Sequence, residues 1–131
     1  LGGRTMDFGT NKPIYQHIYD IVVERIIIGH LREGDRVPSV RELAVELQVN
    51  PNTVMRAYEA LSAGGIITSS RGIGYFVAEG AAARSLAESR QEFIEGDLEN
   101  LFRRMTTLGI TAEELTTLYT NYKKQQNNEN K

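Results

Sequence analysis

"VNPNTVMRAYEALSAGG" (residues 49–65) reads as one helix with marked ends. Asn50 is a strong N-cap, and Pro51 suits the first helical position. Gly64-Gly65 supplies the stop. At 3.6 residues per turn, Val54, Ala57, Tyr58 and Leu61 fall on one side, which must face a core. Asn52, Arg56 and Glu59 fall opposite, with Thr53 and Met55 on the flanks. The exposed face therefore carries amide, hydroxyl and guanidinium groups near the N-terminal end. Those groups are suited to hydrogen-bonding something outside the helix.

Upstream, "QVN" (48–50) is long enough only to turn a corner. Before it, Ser39 and Glu42 form a capping box that opens a shorter helix. Val40, Leu43, Ala44 and Leu47 make its buried stripe, and Arg41 points away from it. "LREGDRVPS" (31–39) is a connector, with a turn at Gly34-Asp35 and Pro38 blocking helix until Ser39. A first helix is predicted from Pro13 to about Ile28, with Ile14, Ile18, Ile21, Val22 and Ile26 on its apolar face. Downstream of Gly65 the period changes. "IITSS" (66–70) and "YFVAE" (75–79) are β-type runs joined by "RGIG" (71–74), a hairpin with glycines in the turn. Helix, helix, turn, helix and hairpin is the order of a winged helix-turn-helix domain, expected over residues 6–79.

"GAAARS" (80–85) is softer and reads as a hinge. Beyond it, Ile94, Leu98, Leu101, Met105 and Leu108 are spaced 4, 3, 4, 3, as in a coiled-coil seam. Gly109 ends that helix. Thr111 and Glu114 form a second capping box, and Leu115, Leu118, Tyr119 and Tyr122 give the last helix its stripe. "QQNNENK" (125–131) reads as a frayed tail. Residues 80–125 are thus expected to be a two-helix dimerisation segment, using Ile94, Leu98, Leu101, Met105, Leu108, Leu115, Leu118 and Tyr122. The expected fold class is mainly α with a small β-hairpin.

The chain has 131 residues, no cysteine and a formal net charge of −2. The missing cysteine removes disulfide scaffolds, thiolate metal sites and cysteine nucleophiles. "LGGRT" before Met6 reads as a vector-derived leader. No apolar run reaches the length of a membrane span, and a cytoplasmic protein is expected. His17 and His30 lie near opposite ends of helix one, so neither a metal nor a cofactor is expected, and no catalytic group stands out. "GIG" (72–74) is a hairpin turn rather than a dinucleotide fingerprint. Residues 1–80 carry eight basic and nine acidic side chains, so any nucleic-acid reading rests on local placement. From Pro13 to Tyr122 every Lys or Arg position is arginine, the better fork for phosphate and guanine.

In a helix-turn-helix the second helix lies in the major groove, its N-terminal end near the base edges. Arg reads guanine, Asn reads adenine, and Thr bonds phosphate or touches a thymine methyl. Arg41 is then expected to contact the DNA backbone, and Arg71 at the hairpin tip to meet DNA as part of the wing. The competing reading is a winged helix used only for protein interaction, supported by the acidic balance and by Glu59.

"GDRVPSVRELAVELQVNPNTVMRAYEALSAGGII" followed by "RGIGYFV" closely resembles the DNA-binding domain of GntR-family bacterial transcription regulators, over roughly residues 12–78. "PSVRELA", "NPNTVMRAYEAL" and "GIGYFV" are similar to the YtrA and MocR branches. MocR-type proteins continue into a pyridoxal-phosphate aminotransferase-like domain. YtrA-type proteins end in a short two-helix dimerisation segment, which the pattern after Glu79 resembles. The resemblance implies DNA contacts from Arg41, Asn52, Thr53, Arg56, Arg71 and Gly74, with Arg36 as a further backbone contact. Pro51 departs from other branches, which often place a basic or hydroxyl residue there. The resemblance also implies a homodimer on double-stranded operator DNA with two-fold half-sites, repressing a neighbouring operon, often one for a transporter. It points to no particular small-molecule effector.

Overall fold

The computed structural model describes residues 12–129. The leader at 1–5, the start of the 6–79 domain and the end of the tail lie outside the described residues. The elements are α1 (Ile14–Ile27), α2 (Val40–Leu47), α3 (Pro51–Ala63), β1 (Ile67–Ser70), β2 (Gly74–Val77), α4 (Ala81–Glu92), a π-helical turn (Phe93–Asp97), α5 (Leu98–Leu108) and α6 (Ala112–Glu129). Two compact units share them, with the first running through Glu88 and the second from Ser89. No helix among the described residues is long and apolar enough to cross a membrane.

The helix ends follow local chemistry. Ser39 Oγ accepts from the Glu42 amide at 3.0 Å, and Glu42 Oε1 accepts from the Ser39 amide at 2.8 Å, closing the capping box of α2. Asn50 Oδ1 accepts from the Asn52 amide at 2.8 Å, with Pro51 first in α3. Between them Gln48 takes φ 57° and ψ 49°. This left-handed conformation is unfavourable for a residue with a Cβ. It makes the corner from α2 to α3 abrupt.

Ile18, Val22, Val23 and Ile26 of α1 meet Leu43 and Ala44 of α2, Val54, Ala57, Tyr58 and Leu61 of α3, and Ile66, Ile67 and Val77 of the hairpin in one core. Ile14, expected on the apolar face of α1, is 60% exposed, and Val23 takes a core place instead. The core face of α3 follows the wheel: Val54, Ala57, Tyr58 and Leu61 are all 0% exposed.

β1 and β2 pair antiparallel, from Ile67 opposite Val77 to Ser70 opposite Gly74. The connector before α2 adds to this sheet. Arg36 bridges Phe76, the Val37 amide donates to Tyr75 O at 2.8 Å, and the Val77 amide donates to Asp35 O at 2.9 Å. The edge of β2 is thereby covered, which removes a site for unwanted strand pairing. Residues 31–39 were expected only to connect. Their Gly-Asp turn and Pro38 concealed a single bridge at Arg36, flanked by backbone hydrogen bonds from Gly34, Val37 and Val77.

The expected hinge at 80–85 is instead the entry to α4. Ala81 and Ser85 are buried in the first unit. Arg84 donates to Glu79 O and Gly65 O, and the Gly80 amide donates to Glu33 Oε2. Alanine is the best helix former, so a run of small residues was as consistent with helix as with hinge. The expected frayed tail is also corrected over its described part, since α6 continues through Glu129. Gln and Asn add little cost to propagating a helix already started by Thr111, whose Oγ1 accepts from the Glu114 amide at 3.1 Å.

In the second unit α5 and α6 bury no side chain. Ile94, Leu101, Leu108, Leu118, Tyr119 and Tyr122 are exposed, and Leu98, Met105 and Leu115 are half-buried. The π-helical turn at Phe93–Asp97 interrupts the expected seam at its first step. A π turn accommodates one extra residue and shifts the faces that follow it.

Candidate nucleic-acid interface

The face of α3 opposite the core carries Asn52, Met55, Arg56 and Glu59, all exposed, with Thr53 half-buried beside them. The end of α3 that bears Asn52 and Thr53 is also its amide-rich end, where an anion is favoured. Asn50 occupies one of those amides, that of Asn52, and the Asn52 side chain makes no hydrogen bond among the described residues.

Arg41 projects from α2 and is exposed. With Ala44, Val45, Val49 and Pro51 it lines a shallow groove of about 450 Å³ on the outer side of the α2–α3 corner. Arg71 stands exposed in the turn between β1 and β2, next to Gly72 at φ 76°. Arg36 lies farther back, against the base of the wing. Its guanidinium sits 3.0 Å from where a Cβ on Gly74 would be, and Gly74 has φ 138°. Only glycine suits both that backbone and that close approach. Arg36 and Gly74 are thus in contact, whereas Arg41, Asn52, Arg56 and Arg71 are carried on three separate elements, α2, α3 and the hairpin turn.

The charges separate in the same way. Among the described residues the ion pairs are Lys12–Asp20 and Arg25–Glu46. Arg41, Arg56 and Arg71 have no carboxylate partner among the described residues. Glu42, in the first turn of α2, is held below the ordinary carboxylate range by the Ser39 amide and hydroxyl, with a contribution from Arg36. The Glu42 carboxylate, next to Arg41 in sequence, is therefore committed to capping.

Several side chains that hold these groups escaped sequence reasoning. The Arg56 guanidinium lies over the Tyr15 ring of α1, 4.2 Å from its centroid. A cation over an aromatic face is attracted by the ring quadrupole and keeps its edge free to donate. Tyr75 of β2 meets Tyr58 edge to face at 5.0 Å and donates its hydroxyl to Met55 Sδ at 3.9 Å. Tyr58 donates to Pro38 O at 2.6 Å, and burial raises its hydroxyl pKa well above the ordinary tyrosine value. The wing is thus tied to α3 through tyrosines. Tyr58 was legible as core, but its partners were not, because they are distant in sequence. Tyr15 carried a weaker signal, as an aromatic off the apolar stripe of α1.

A helix-turn-helix with a covered hairpin, exposing arginines without a carboxylate partner on α2, α3 and the hairpin turn, is the arrangement of a winged helix-turn-helix DNA-binding regulator. Residues 14–77 match the model of bacterial regulatory proteins of the gntR family. The chain is 39% identical over 108 residues to the HTH-type transcriptional regulator YhcF of Bacillus subtilis, covering 82% of this chain and 88% of that protein. It is 36% identical over 110 residues to the HTH-type transcriptional repressor YtrA of the same organism, covering 84% of each. A GntR family transcriptional regulator from Listeria monocytogenes has the same fold, with a TM-score of 0.68 and 33% identity over 85% of this chain and 96% of that one. The chain belongs to the gntR family of bacterial regulatory proteins and to its YtrA-like subfamily.

Proposed function

We propose that this regulator is a homodimeric, sequence-specific repressor that places one α3 in the major groove of each half-site of a two-fold operator. Arg56 and Asn52 read bases. Arg41, Thr53 and Arg36 hold the phosphate backbone, and Arg71 and Gly74 form the wing contact. The observation that carries this reading is that Arg41, Arg56 and Arg71 are exposed without carboxylate partners among the described residues, in a chain whose net charge is −2. An acidic protein that leaves those arginines unpaired keeps them available for an anion. Dimerisation falls to the segment after the winged domain, residues 80–125, through Ile94, Leu98, Leu101, Met105, Leu108, Leu115, Leu118 and Tyr122. Helices that bury no side chain of their own need a partner surface, and a C2 dimer matches a two-fold operator. Repression is in keeping with the YtrA relative, a transcriptional repressor, and the operon it would repress is a neighbouring one, often for a transporter.

The test is a footprint of the full chain on DNA upstream of its own gene, paired with sedimentation. The expected result is a dimer protecting two half-sites with centres about 34–36 Å apart, or a multiple of that. A monomer in sedimentation, or binding that ignores sequence, refutes the proposal.

A further inference from the structure

We propose that Met55 is a base-reading residue, receiving the 5-methyl group of one thymine in each half-site. The inference rests on α3 being the reading helix. Residues 52, 55, 56 and 59 share one side of a helix turning 100° per residue. On that side Asn52, Arg56 and Glu59 are polar, and Met55 is the apolar member. It is 39% exposed, whereas the core residues of α3 are 0% exposed. Packing of the fold therefore does not require a methionine there.

Its thioether is nonetheless held in place. Tyr75 donates to Sδ at 3.9 Å, the Tyr75 ring meets Tyr58 at 5.0 Å, and Tyr58 is anchored on Pro38 O at 2.6 Å. A long flexible side chain fixed before binding has less freedom left to lose on docking. Its chemistry then selects among bases. Methionine has no donor and only a weak acceptor. The major-groove edges of guanine, adenine and cytosine present polar groups, and covering one with a thioether strands it without a partner. Thymine alone offers a methyl group there.

The experiment begins by selecting binding sites for the full chain from a random duplex library. Each thymine of the selected half-site is then replaced by uracil, which removes only the methyl group. One thymine per half-site should respond, with binding about fourfold weaker for one methyl and about fifteenfold weaker for the symmetric pair. Met55→Ala should bind the thymine site more weakly and show no further loss with uracil, while Met55→Leu keeps the uracil effect. Thermal melting checks that both variants are folded. A half-site without a sensitive thymine overturns the assignment, as does a uracil effect equal in Met55→Ala and the parent chain. A chain that selects no sequence at all fails earlier, and overturns the reading-helix function together with this assignment.

Discussion

Replacing Tyr58 with Phe removes one oxygen from the centre of the winged unit and leaves its ring in place. Tyr58 is 0% exposed, and its hydroxyl donates to Pro38 O at 2.6 Å. The loss combines an ordinary hydrogen bond with a carbonyl left short of a partner. Pro38 is half-buried, so solvent replaces part of the bond. The expected cost is about 1–2 kcal/mol. In a domain of this size that lowers the melting temperature by about 5–15 °C. The pH dependence gives a second, independent readout. Burial raises the Tyr58 pKa above its ordinary value of 10.0. The unfolded chain then loses this proton first, so the contribution is complete below about pH 10 and declines as pH rises further. The gap between parent and Tyr58→Phe should therefore narrow above about pH 10, by at most ~1.4 kcal/mol per pH unit. Melting followed by circular dichroism from pH 7 to 11 measures both. A difference under about 0.5 kcal/mol at pH 7, or a gap constant across the alkaline range, refutes the reasoning.

Arg56→Ala should relax discrimination between operator variants at a cost of about 1–3 kcal/mol, whereas Arg41→Ala should weaken specific and non-specific duplexes alike and lower the salt slope; salt titrations on both duplex types separate the two. Gly74→Ala forces a Cβ into a φ of 138° beside the Arg36 guanidinium, and should destabilise the chain by about 1–3 kcal/mol in denaturant melts. Tyr15→Leu removes the ring under Arg56. Operator binding should weaken by about two- to tenfold because the freed guanidinium must be ordered on docking, alongside a modest fall in melting temperature, since Tyr15 also packs against the core.

Local signals made the fold legible, and long-range contacts made the remainder opaque. The caps of α2 and α3, the stop at Gly64 and the four core positions of α3 follow from residue type and helical period alone. They need only neighbours within a turn or two. The backbone bridge of Arg36 and its flanking hydrogen bonds depend on meeting β2, some forty residues away, and no local periodicity encodes that. The run of alanines at 81–83 is ambiguous in isolation. What made it helix was the burial of Ala81 and Ser85 within the first unit, together with Arg84 reaching Gly65 O. Among the candidate site residues, exposure of Arg41, Asn52, Arg56 and Arg71 could be read from the wheel and the turn. The Tyr15 stack and the Arg36–Gly74 contact could not, since each joins separate elements.

One chain of contacts connects the parts that a DNA-reading domain must keep in register. Pro38 immediately precedes Ser39, the cap of α2, so a bond from Tyr58 to the Pro38 carbonyl fixes where α2 begins relative to α3. The Tyr58 ring meets Tyr75, which places β2, and Tyr75 reaches back to Met55 on the outer face of α3. The cap of the first helix of the motif, the core of the second and the base of the wing therefore share two tyrosines. Neither tyrosine carries a charge. Their contribution is to hold Arg41, Arg56 and Arg71 on elements that cannot drift independently. That is how a chain with net negative charge can keep a local cationic constellation. The few unpaired arginines need no excess of positive charge if the core fixes the elements that bear them.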